Sequence, residues 1–293
     1  MLGLGLNLQR QRGSGLSISA AFDFNWKTDN VGTSNDNQAT LPFIISASLD
    51  CVVTWGDADG STTTLNSASS AGDLTHTYSD GAGIKRISIS GTGINGLKFN
   101  DGGDKLKILG VSSVVNLDIT EDSTFSGCAN LTWTANTAPT ITSTDLSSTF
   151  KGCSSFNGNI SNWDVSNVIN MNNMFNSAIV FNQNISAWNL VNVTSMSNMF
   201  ESATSFNQAL NDWNVSNVTN INSIFSLASA FNQPLNSWNV SNVLNMGLVF
   251  NNSTSFNQNI STWDINQVTE FSNFMTGVTL STTNYDLILP AWD

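Results

Sequence analysis

Few side chains in this sequence could carry acid–base, nucleophilic or metal chemistry, and their spacing keeps them apart. His76 is the single histidine, and Cys51, Cys128 and Cys153 are the three cysteines. A catalytic histidine needs a nucleophile beside it, and a zinc site needs several nitrogen or sulfur ligands at short spacing. No cysteine neighbours His76, and no second histidine exists to complete a metal pair. Asp57-Ala-Asp59-Gly60 opens like a calcium loop, but the later oxygen ligands and the closing glutamate are missing. An aspartate-rich turn is what remains. Glycoside hydrolysis would need two carboxylates roughly 5–9.5 Å apart. In the second half only Asp164 and Asp264 share a repeat register, and they are four repeats apart. The expectation is no catalytic residue, no metal and no cofactor.

Charge and composition narrow the classes further. The net charge is −12 and the pI about 4.1. From residue 151 onward Lys151 is the one base, against Asp164, Glu201, Asp212, Asp264, Glu270, Asp286 and Asp293. Nucleic-acid binding draws its affinity from basic patches, so it is excluded as an expectation. No apolar run approaches the ~20 residues of a membrane-spanning helix. Asn alone supplies 42 residues, yet 40% of the chain is hydrophobic, which points to a β-rich globular protein of extracellular type rather than a disordered one. The opening residues do not read as a secretory signal, because Arg10 and Arg12 follow a short, glycine-broken apolar stretch. An outward-type composition with no visible export signal fits a component of a virus particle released by lysis.

A repeat of constant length organises the second half. Phe156, Phe181, Phe206, Phe231 and Phe256 are 25 residues apart, as are Trp163, Trp188, Trp213, Trp238 and Trp263. A further series runs Phe125, Phe150, Phe175, Phe200, Phe225 and Phe250, and Asn157, Asn182, Asn207, Asn232 and Asn257 keep the same register. One coil cannot bury these side chains alone, so the coils must stack into a solenoid. Phe181 to Trp188 reads as a short strand, and Val193, Met196, Met199 and Phe200 as the stripe of a short helix or 3₁₀ turn. Strands ~4.8 Å apart would make five coils about 24 Å long. The Asn157 column reads as a ladder satisfying backbone groups within the turns. Thr279 to Asp293 reads as a strand or flap capping the end. Cys128 and Cys153 occupy equivalent Gly-Cys contexts and are read as buried free thiols, with a bridge between neighbouring repeats as the other reading.

The unit Met-Ser-Asn-Met-Phe200-Glu-Ser-Ala-Thr-Ser-Phe206-Asn-Gln, followed by Trp213-Asn-Val-Ser-Asn-Val-Thr, resembles the BspA-type leucine-rich repeat surface proteins over about residues 117–280. That resemblance implies a leucine-rich-repeat solenoid used for adhesion or recognition, generally without catalysis. Upstream, Ile44 to Leu49, Cys51 to Trp55 and Ile84 to Ser90 are period-two runs separated by glycine-rich turns. Val53-Thr-Trp55-Gly56-Asp57, His76-Thr-Tyr78 and Ile87-Ser-Ile89-Ser-Gly91 resemble a PKD-type immunoglobulin-like domain, although Gly83-Ile84-Lys85 departs from its usual Gly-Thr-Tyr. This second resemblance places His76 on a strand, packed near Trp55 and Tyr78.

The expected fold is thus β-rich and multidomain: a small immunoglobulin-like β-sandwich, then a leucine-rich-repeat solenoid of 25-residue coils. The expected boundaries are an extended N-terminal arm and linker over 1–37, a PKD-like sandwich over 38–92, the solenoid over 93–280 and a C-terminal cap over 281–293. In the arm, Leu2, Leu4, Leu6 and Leu8 share one face of an extended chain, Arg10 and Arg12 follow, and Phe22, Phe24 and Trp26 alternate again. These residues suit strand addition to a partner or to another copy, or else an extra hairpin packed on the sandwich. The Gly-Leu-rich start also resembles openings of marine phage structural proteins.

A ligand face, if the solenoid has one, is expected at Asn159, Gln183, Asn184, Gln208, Gln233, Gln258 and Asn259, whose amides suit sugar hydroxyls. The functional expectation is a non-enzymatic structural and recognition protein on a bacteriophage virion surface: a fibre, decoration or receptor-binding component. Its partners would be other virion proteins or copies of itself through the arm, and a host-surface glycan or protein through the solenoid. The alternative is an exported bacterial cell-surface adhesin of the BspA kind.

Overall fold

A computed structural model of the chain describes residues 21–66, 72–115 and 117–292. The chain is β-rich. Its first part is a seven-stranded hydrogen-bonded sheet containing β1 (Ala21–Lys27), β2 (Gln38–Thr54), β3 (Thr62–Asn66), β4 (Gly72–Thr77), β5 (Ile84–Leu97), β6 (Ile108–Val114) and β8 (Thr132–Trp133). The order is β3-β2-β5-β1-β6-β8, with β4 also paired to β2. The two period-two runs around Asp50 belong to one long strand, β2, whose first half pairs with β4 and second half with β3. A register shift between Ile45 and Asp50 against β5 separates the halves. Gly91 sits where β5 crosses Cys51, with a left-handed φ of 126°, and an added Cβ would meet the Asp50 carbonyl oxygen at 2.2 Å.

Two expected boundaries shift. β1 carries Phe22, Phe24 and Trp26 into the centre of the sheet, between β5 and β6, and all three are fully buried. They are core residues rather than part of a free arm, because alternate positions of a central strand face the same packed interior. β5 also runs through the boundary expected at 92/93.

The second part is a stack of 25-residue coils. The two-residue strands β7 (Asp118–Ile119) and β9 (Thr140–Ile141) pair in parallel at its start. Single-residue parallel bridges then run Asp145–Asn170–Ser195–Asn220–Asn245–Glu270. The bridge thus lies at Ser195, inside the stripe expected to be helical, while Phe181–Trp188 forms no ladder. The stripe itself is a series of overlapping turns. In one coil the N–H groups of Leu146, Ser148, Phe150 and Gly152 donate to carbonyls of the next coil at Asn170, Asn172, Met174 and Asn176, at 2.7–2.9 Å. Between them Thr149, Lys151 and Cys153 donate three residues back within the coil. Left-handed φ at Ser148, Asn173, Asn198, Ser223, Leu248 and Asn273, and again four residues on at Gly152, Ser177, Ser202, Leu227, Asn252 and Gly277, breaks any helix twice per coil and turns alternate N–H groups along the stack axis. Turns closed every three residues give the apolar side chains the same spacing as a short helix.

The interior is aromatic. Phe175 and Phe181 stack at 4.0 Å within a coil, and Phe175 stacks on Phe150 and Phe200 at 5.8 and 5.6 Å. Ring-to-ring steps between coils therefore exceed the 4.8 Å expected of paired strands. Each buried ring contributes roughly 1.5–3 kcal/mol of transfer free energy.

Both ends of the stack are covered. At the start, β6 pairs antiparallel with β1 on one edge and parallel with β8 on the other, so the sheet and the stack share a strand. Fully buried Lys107 and Asp104 pin the 28–38 segment there. Asp104 accepts from the Thr33, Ser34 and Thr40 N–H groups at 2.8–3.1 Å, and Lys107 Nζ donates to the Ser34 and Asn35 carbonyls at 3.0 and 2.9 Å. At the far end, residues expected to form a strand or flap form helix α1 (Thr282–Trp292), with Ile288 buried. A helix satisfies its own backbone groups, so it can close the stack without a further coil to pair with.

Candidate functional site

The amide columns proposed as a ligand face are largely built into the wall of the stack. Asn157 Oδ1 accepts the Asn182 backbone N–H at 2.9 Å and Gln183 Nε2 at 3.0 Å. The pattern repeats from Asn182 to Asn207 and Gln208, from Asn207 to Asn232 and Gln233, and from Asn232 to Asn257 and Gln258. Ser281 N–H and Asn284 Nδ2 close the ladder on Asn257. All four glutamines are half-buried, and each spends amide N–H on the asparagine of the preceding coil. Asn159 and Asn184 are exposed and Asn259 half-buried; each holds its own turn by accepting an N–H from Ser161, Ser186 or Ser261 at 2.9–3.0 Å. The tryptophans are unavailable to a sugar face. Trp188, Trp213, Trp238 and Trp263 are buried and donate through Nε1 to the carbonyls of Ile160, Ile185, Leu210 and Leu235.

Gly158 departs from the glutamine column for a steric reason. An added Cβ there would come within 2.2 Å of the Trp133 side chain, which fills the space a glutamine takes in later coils.

His76 sits in a cluster that resembles a catalytic triad only in its residue types. Its ring stacks on Trp55 with centroids 4.6 Å apart and meets Tyr78 edge-on at 4.7 Å. Nε2 lies 3.0 Å from Asp57 Oδ2 and 3.4 Å from Ser61 Oγ, while Ser61 Oγ donates to that same carboxylate oxygen. A triad requires the acid on one ring nitrogen and the nucleophile on the other. Here acid and hydroxyl crowd one nitrogen, so the group ties the 57–61 turn to β4. Burial pushes the Asp57 carboxyl up, but hydrogen bonds from the Ser61 hydroxyl, His76 and the Ser61 N–H outweigh it and hold its pKa down at about 2. Tyr78 Oη donates to the Trp55 carbonyl at 3.0 Å and completes the cluster.

Among the described residues no group of three or more histidine, cysteine, aspartate or glutamate side chains could hold a metal ion. No described helix is long and apolar enough to cross a membrane. Leu2, Leu4, Leu6, Leu8, Arg10 and Arg12 lie outside the described residues.

One surface feature escaped the sequence reading. Between α1 and the last coil lies an apolar groove of about 360 Å³ lined by Phe271, Phe274, Met275, Ile288, Leu289 and Trp292, among others. Tyr285, Leu287 and Leu289 are about half exposed beside it. The apolar run and the internal Pro290 hid the helix, and with it the groove.

No curated protein and no solved structure matches this chain. A family model described as "Mycoplasma protein of unknown function, DUF285" matches residues 120–218 and 186–287, which together cover more than half of the chain. The matched segments coincide with the stacked coils, and on that match the chain belongs to this family.

Proposed function

We propose that this chain is a non-enzymatic structural and recognition protein displayed on an outer surface, and that the surface is that of a bacteriophage virion. In this reading the coils form a leucine-rich-repeat solenoid of the BspA kind, and the preceding sheet is a PKD-type immunoglobulin-like module. The observation that carries it is the ladder from Asn157 to Asn257, in which polar side chains hold coil to coil and leave a long, regular, rigid surface. A stack of this kind suits display and contact over an extended area. The two carboxylates of the coils that share a repeat register, Asp164 and Asp264, stand four coils apart, about 23 Å at the observed ring step, against the ~5–9.5 Å of a glycosidase pair. The leucine-alternating segment over residues 2–8 would anchor the chain to other virion proteins or to a second copy.

The second reading, an exported bacterial adhesin of the BspA kind, is favoured by the family match, whose description refers to a cellular organism. Quantitative mass spectrometry of gradient-purified particles beside an outer-surface fraction of the producing cells separates the two. Peptides reaching into residues 1–12 at stoichiometric level in particles support the virion assignment. Their absence from particles, with a trimmed N-terminus in the cell-surface fraction, replaces it with the adhesin.

A further inference from the structure

Three cysteines are present and all are buried with free thiols. Cys51 lies in β2 of the sheet, whereas Cys128 and Cys153 occupy the same position in neighbouring coils at the sheet end of the stack. Later coils place Ala178, Ala203, Ala228 and Ser253 there. The column thus demands a small side chain, and packing alone does not call for sulfur in two adjacent coils.

Geometry brings the two positions together. A Cβ on Gly152 would sit 3.6 Å from the Gly127 Cα, so the backbones immediately before the two cysteines approach to within about 5 Å. Cys153 Sγ points back toward the earlier coil, donating to the Phe125 carbonyl at 3.0 Å. That same oxygen accepts the Cys128 N–H at 3.1 Å, which places the Cys153 sulfur beside the Cys128 backbone. Disulfides span Cα separations of about 4.4–6.8 Å.

We propose that Cys128 and Cys153 form an intramolecular disulfide when the chain folds in the presence of a small-molecule disulfide, locking the first coils of the stack to one another. One cysteine thiolate attacks a sulfur of the small disulfide, RS–SR, forming a mixed disulfide and releasing RS⁻. The second thiolate attacks the protein-side sulfur, forms the Cys128–Cys153 bond and releases a second RS⁻. In sum, two protein thiols lose two protons and two electrons, and one RS–SR becomes two RSH.

The bond must form before the coils close. In the folded, reduced chain both thiols are fully buried, and burial pushes their pKa values well up, leaving almost no thiolate to attack. The same burial shields the finished bond from reductant until the stack opens. This inference stands independently of the proposed function.

The sequence supplies a clean assay. Lys151 is the one tryptic site between the two cysteines, and none occurs after it or between Lys107 and Lys151. The full chain is unfolded, reduced, and refolded with oxidised and reduced glutathione. It is then alkylated, denatured without reductant and cut with trypsin. Fragments 108–151 and 152–293 are expected to remain joined until a reductant is added, and to separate in C128A and C153A. Alanine is the residue of three other coils at this position, so these variants retain the packing. The oxidised wild type should melt roughly 5–10 °C above its reduced form, with no reductant effect in C128A/C153A. Two outcomes overturn the proposal: fragments that separate without reductant and carry an alkyl group on each cysteine, or a linkage through Cys51.

Discussion

Asn182 Oδ1 accepts two hydrogen bonds from the following coil, the Asn207 backbone N–H at 3.0 Å and Gln208 Nε2 at 2.9 Å. One side-chain oxygen therefore satisfies a backbone donor that no strand ladder reaches. The arrangement recurs in every regular coil and accounts for the asparagine column. Replacing Asn182 with Ala leaves both donors without their acceptor. N182A should lower stability by about 1–3 kcal/mol, measured as a shift in urea midpoint, whereas N182D keeps an acceptor and should lose less.

The Phe columns carry the apolar part of the stack. Phe200 stacks on Phe175 and Phe225 at 5.6 and 5.7 Å and on Phe206 at 4.0 Å. F200A opens a cavity between three rings and should cost about 3–5 kcal/mol in a denaturant titration. F271A, at the exposed end of the neighbouring column of Met171, Met196, Ile221 and Met246, should cost well under half of that, because its ring is already 38% exposed.

At the joint, Lys107 donates to backbone carbonyls of Ser34 and Asn35, and Asp104 collects N–H groups from the same segment. K107M removes a buried cation and strands those carbonyls, along with a carboxylate 3.9 Å away. A loss of about 3–5 kcal/mol is expected, read by thermal or denaturant unfolding. Faster amide hydrogen exchange should be concentrated in residues 28–38.

Asp57 has a folded pKa of about 2, below its ordinary value of 3.8. Its contribution to stability is therefore complete above pH 3.8 and disappears as pH falls toward 2. The shift corresponds to about 2 kcal/mol at neutral pH. D57N should be less stable than wild type at pH 7, with the difference shrinking as pH drops from 4 to 2. A gap that stays constant over that range would contradict the assignment.

Gly158 faces Trp133 at a distance that excludes any side chain. G158A should destabilise by about 1–3 kcal/mol through overpacking. Pairing it with W133G, which removes the Cβ that an alanine at 158 would meet, should recover part of the loss, as a double-mutant cycle measures directly.

The existence, length and phase of the coils are legible in the residue order alone. Columns of Phe, Trp, Asn and Val kept at 25 residues admit one arrangement, stacking in register, since no single coil buries them. The ladder of Asn157 and its equivalents follows from residue type and repeat spacing, whereas the packing of Trp55, His76 and Tyr78 was implied only by the resemblance to a PKD-type domain. Tertiary structure decided the rest. The apolar stripe of each coil became overlapping turns because left-handed φ at Asn173 or Asn198 sends alternate N–H groups to the next coil, a choice that a three-residue pattern shared with helices cannot reveal. Phe22, Phe24 and Trp26 became core because β1 found two partner strands far along the chain, at Ile84–Leu97 and Ile108–Val114. The glutamine column turned inward for the same reason: its partner oxygen lies one whole coil away, and only stacking brings it within reach.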